Sequence, residues 1–69
     1  MSDNRRQDIR RLLKTFGVRA DETISAYLEE HGDVEELRVR VTLEDLTDYE
    51  GSPPGEPLRL EVEETIRNS

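Results

Sequence analysis

Residues 12–24, LLKTFGVRADETI, set how the front half of the chain is built. Working back from this stretch, Ile9, Leu12, Leu13 and Phe16 stand at i, i+3, i+4 and i+7, one stripe of a 3.6-residue helix. The spacing predicts a helix over about residues 3–16, with Ser2 or Asp3 capping its first free N–H groups. Gly17 follows the last apolar position, where a left-handed residue commonly closes a helix, and Val18 can fold back on the final turn. Working forward, Ala20, Ile24, Tyr27, Leu28 and His31 line one side of a second predicted helix over about residues 21–31. Asp21 and Glu22 would complement its dipole, His31 would cap its last carbonyls, and Gly32 would stop it. The short link makes the two an αα-hairpin or a helix-turn-helix-like pair, with the crossing angle open.

At Glu36 the period changes from 3.6 to 2. Leu37, Val39, Val41 and Leu43 alternate with polar residues, predicting a strand over about residues 36–43. Leu58, Leu60 and Val62 do the same, with Ile66 in step, predicting a second strand over about 58–66. Between them, residues 44–57 are a turn-rich loop holding all three prolines. Thr42-Leu-Glu-Asp resembles a capping box and suggests a short helical turn near residues 43–49. Parity then restricts the antiparallel register, because odd apolar positions of the first strand must share a face with even ones of the second. One register pairs Arg38 with Glu63, Arg40 with Glu61, Val39 with Val62 and Val41 with Leu60. A slip of two residues pairs Arg40 with Glu63 and Glu44 with Arg59. The first is preferred.

The expected fold class is therefore α+β, two N-terminal helices packed on a two-stranded antiparallel hairpin. A core of Ile9, Leu12, Leu13, Phe16, Ile24, Leu28, Val39, Val41, Leu60 and Val62 would join them. At 69 residues the chain fits a single small domain. A lone hairpin has two open edges, so completion by homodimerisation, edge to edge or through the helices, is an expectation. Charged residues make up 39% and hydrophobic ones 32%, which leans toward disorder; the periodic placement of the apolar residues argues for a fold. No apolar run spans a membrane and no apolar signal segment opens the chain, so a cytoplasmic protein is expected.

The net charge of −7 is unevenly spread. Residues 1–19 hold six basic and two acidic side chains, and the remainder is strongly acidic. Arg10, Arg11 and Lys14 fall away from the apolar stripe as an exposed basic ridge. That ridge is either a solvated face or a docking surface for an anionic partner. In the loop, Leu46 and Tyr49 are apolar groups with no evident place in a core. These five residues are the candidate partner-binding positions.

Leu12, Phe16, Gly17 and Val18 resemble the first helix, turn glycine and following apolar residue of DNA-binding helix-turn-helix units, and the strands after them resemble a wing. Ile24 and Tyr27 arrive one residue late for that pattern. The second helix carries Asp21, Glu22, Glu29 and Glu30 with no basic residue, whereas phosphate contact and base readout draw on Lys and Arg. Pro54-Gly-Glu-Pro57-Leu-Arg59 fits a P-x-x-P-x-R pattern, of the kind polyproline-binding grooves accept. An EF-hand frame starting at Leu46 fails at its first and last positions, Leu46 and Pro57.

Catalysis has little to draw on. There is no cysteine, and His31 is the only histidine, remote in pattern from Ser25 and Ser52. No glycine-rich phosphate loop, metal-ligand set or cofactor motif is present. The expected function is a noncatalytic protein–protein interaction module, regulator or accessory subunit with no cofactor. A helix-turn-helix-like DNA-binding dimer is the first alternative, and an acidic nucleic-acid mimic the second.

Overall fold

A computed structural model describes residues 2–68, with the side chain of Ser2 outside the described part, and with it the proposed Ser2 cap. The element order is one helix and two strands: α1 over Ser2–Glu30, β1 over Glu36–Glu44 and β2 over Arg59–Arg67. The fold is α+β, but it has one long helix where two were expected. The chain divides into two compact units, one running up to Val34 and the other starting at Glu35.

The helix does not stop at Gly17. Among the described residues only Glu50 and Gly51 have positive φ, so the left-handed cap expected at Gly17 is absent. The physical reason lies in phase. Phe16, Ala20 and Ile24 follow one another at four-residue steps, so the stripe that enters Gly17 leaves it on the same face. A glycine inside a helix costs about 1 kcal/mol relative to alanine, whereas a break would put the two halves out of register. No proline interrupts the span, and Ser25 Oγ donates to Asp21 Oδ1 at 3.2 Å one turn further on. At 29 residues α1 is well past the ~12–15 below which an isolated helix is marginal, and about 43 Å long. The helix-turn-helix resemblance accordingly loses its turn.

The far end is closed by a side chain, not by Gly32. Tyr27 O accepts the backbone N–H of His31 at 3.0 Å and the His31 ring at 2.8 Å. A carbonyl can only accept, so Nδ1 of His31 carries a proton in this contact. The ring also stacks on Tyr27, centroids 4.1 Å apart. His31 O then accepts from Val34 N at 3.0 Å, turning the chain out of the helix.

The two strands form an antiparallel sheet in which Glu36 faces Arg67, Arg40 faces Glu63, Val41 faces Val62 and Glu44 faces Arg59. This is the slipped register, not the preferred one. Both registers offer the same number of apolar pairs. The observed one brings three opposite-charge pairs face to face, while the other would oppose Glu44 to Pro57, which has no N–H to give. A bond from Asn68 N to Glu35 O at 3.0 Å extends the pairing past the last strand residues.

No described residue is buried. The ten side chains expected to form a core are exposed or half-buried: Leu13 is 62% exposed and Phe16 47%, while Ile24, Leu28 and Val39 are half-buried. The expected short helical turn in residues 43–49 is also absent, since β1 runs on to Glu44 and residues 45–49 form irregular loop.

Candidate functional site

The five candidate residues fall on both units. Arg10, Arg11 and Lys14 are exposed on α1, and Leu46 and Tyr49 lie in the loop between the strands. Arg11 pairs with Asp8 at 3.3 Å, one turn back. Arg10 and Lys14 make no ion pair among the described residues. Sequence spacing explains the difference: Arg6, Arg10 and Lys14 repeat at four-residue steps, so each meets a like charge where a helix would gain from an opposite one. The row costs the isolated helix a few tenths of a kcal/mol per pair.

Beside this row runs the apolar stripe. Ile9, Leu13, Phe16, Ala20, Ile24 and Tyr27 share one side of α1 at steps of three or four residues. Ile9, Leu12, Leu13, Phe16 and Tyr27 are all exposed. Sequence spacing picks out every one of these residues but divides them between two helices. The signal that joins them is the constant phase across Gly17.

Leu46 is 85% exposed, the most open large apolar side chain described. Tyr49, by contrast, is engaged. Its hydroxyl donates to Asp45 Oδ2 at 2.5 Å, and Asp45 Oδ1 accepts Thr47 N at 2.9 Å. The Tyr49 bond first, and the Thr47 N–H second, hold the Asp45 carboxyl below its ordinary range. The same bond keeps the Tyr49 phenol protonated to higher pH than usual. A turn follows, with Ser52 N bonded to Tyr49 O at 3.2 Å and φ of 52° at Glu50 and 94° at Gly51. The backbone then bends at Gly55 and Glu56, so the P-x-x-P-x-R segment does not run as one straight polyproline helix.

The polar face of the hairpin is a lattice of charges. Arg40 Nη2 lies 2.7 Å from Glu63 Oε2 and its Nε donates to the same oxygen at 2.8 Å; Arg38 reaches Glu63 diagonally at 3.6 Å. Arg59 pairs with Glu61 at 2.6 Å along the same strand. Among the described residues no three His, Asp or Glu side chains are grouped to hold a metal ion. No helix of the described residues is long and apolar enough to cross a membrane. Comparison with family models, curated proteins and solved structures finds no match.

Proposed function

We propose that the chain is a noncatalytic protein-interaction module, a regulator or accessory subunit, whose docking face is the apolar stripe of α1 and its flanking basic residues. The observation that carries this reading is the exposed, in-phase stripe from Ile9 to Tyr27. Contiguous apolar surface bordered by charge is the ordinary mark of a contact site, and an amphipathic helix offers its anchors at this spacing. The polar groups that catalysis would recruit have local occupations: Ser25 bonds Asp21, and His31 bonds and stacks on Tyr27. The two nucleic-acid readings have less support. Residues 20–30 of α1 carry acids only, and the acids of the hairpin alternate with arginines on its polar face.

Affinity capture from the native host tests the proposal with wild type and three variants. Wild type should retain a specific protein, Leu13→Glu/Phe16→Glu should lose it, and Val41→Glu on the hairpin should keep it. Arg10→Glu/Arg11→Glu/Lys14→Glu should lose it as well. Capture that survives both helix variants, each checked for helix content by circular dichroism, would exclude α1 as the docking face.

A further inference from the structure

We propose that the occupant of the α1 stripe is a second copy of this chain, with the two helices packed antiparallel. The inference rests on reading that stripe as the docking face, and adds to it the identity and direction of the partner.

Charge carries the argument. Residues 1–19 have a net charge of +4, and residues 20–30, with Asp21, Glu22, Glu29 and Glu30, have −4. The helix is therefore neutral as a whole and bipolar along its length. That order is wrong for a helix on its own. Its N-terminus favours acids and its C-terminus favours bases, yet Asp3 is the sole acid of the first turn and the last turn has no base. An acidic partner would match one half and repel the other. A parallel second copy would set like against like at both ends. An antiparallel copy matches both halves at once and also opposes the two helix dipoles.

The stripe is self-complementary in the same direction. With the helices reversed about Val18, Ile9 faces Tyr27 of the second copy and Phe16 faces Ala20. The large ring meets the small side chain, as close packing of two helices requires. The flanks agree as well. Arg10, Lys14 and Asp21 lie on one side of the stripe and Arg5 and Glu30 on the other, by helical spacing. In an antiparallel pair each flank meets its own counterpart, so Lys14 comes beside Asp21 and Arg5 beside Glu30 of the other copy. Lys14, which closes the like-charge row Arg6–Arg10–Lys14 on the single helix, gains an opposite charge in the pair.

The test uses the full chain. Sedimentation equilibrium is expected to show a monomer–dimer equilibrium that weakens several-fold as salt is raised. Arg10→Glu/Lys14→Glu and Asp21→Lys/Glu22→Lys should each weaken self-association by about tenfold or more. An equimolar mixture of the two should regain it, because each reversed half then meets its complement. Since the chain has no cysteine of its own, Ile9→Cys and Tyr27→Cys report direction. When mixed and oxidised they should cross-link to each other in preference to themselves. A monomer at all concentrations overturns the proposal, as does preferential Ile9→Cys self-linkage, or a dimer indifferent to the helix charges. A monomer that still captures another protein through the stripe would leave the docking-face reading standing and remove only the second copy.

Discussion

The helix and the hairpin carry charge in opposite ways. On the hairpin, unlike charges are neighbours: Arg40 meets Glu63 across the strands, Glu44 faces Arg59, and Glu36 faces Arg67. On α1, bases outnumber acids up to residue 19 and acids alone follow, and the only ion pair among its described residues is Arg11 with Asp8. Residues 31–69 carry the whole net charge of −7, yet their polar face is satisfied locally. The neutral helix keeps charges, Arg10 and Lys14 among them, that no ion pair on it balances among the described residues. A surface whose charges are paired within the chain has little left to offer a partner; one whose charges are sorted by sign has a direction built in.

The largest expected effect that would break this comparison is at Gly17. If α1 is continuous, Gly17→Pro removes a hydrogen bond and clashes with the turn before it, costing about 3 kcal/mol of helix stability. Two helices joined by a left-handed turn at Gly17 would resist proline too, because its φ is fixed at about −65°. The alanine variant, which a left-handed position also resists, therefore decides between them. Gly17→Ala should act oppositely, adding about 1 kcal/mol, because the added Cβ meets nothing within 4 Å. Thermal circular dichroism of the dilute chain reads both.

Smaller, and on the hairpin side, Glu50 adopts the left-handed conformation with φ of 52°. Glu50→Gly should relieve about 1 kcal/mol of strain and raise the hairpin's melting point. An unchanged or lower melting point would count against this turn geometry. The Arg40–Glu63 pair is more exposed, so a double-mutant cycle with alanine should yield a coupling of only about 0.2–1 kcal/mol, falling with salt. Zero coupling at low salt would mean that the charge lattice is decorative.

The smallest effect is the pH response of the Asp45–Tyr49 contact. Asp45 has its carboxyl pKa lowered from 3.8, so its contribution is full above that value and fades as pH falls through the lower folded one. Tyr49 has its phenol raised from 10.0, so its contribution is full below that value and fades as pH rises through the higher folded one. Ring resonances of Tyr49 should therefore hold steady between these limits and shift outside them. Titration of Tyr49 at the ordinary phenol value would contradict the bond.

Much of this is legible in the residues. The change of period at Glu36 marks the strands to within one position, and parity fixes which residues share a face. Register is harder, because Glu63 sits between Arg38 and Arg40 and pairs with both; the deciding residues, Pro57 and Arg67, lie at the strand ends. The helix count fails because Gly17 followed by Val18 is a strong local stop signal. The stripe running on through Phe16, Ala20 and Ile24 is a longer-range signal that overrides it. Exposure of Arg10, Arg11, Lys14 and Leu46 follows from their pattern, whereas the hold of Asp45 on Tyr49 depends on a folded-back loop that no periodicity encodes.

The continuity of α1 underlies the stripe, its docking role and the antiparallel pairing, and backbone NMR tests it directly. Helical Cα shifts and i-to-i+3 cross-peaks running without interruption from residue 13 to residue 24, Gly17 included, are the expected result. Non-helical shifts at Gly17 and Val18, with no such cross-peaks between Lys14 and Asp21, would contradict it.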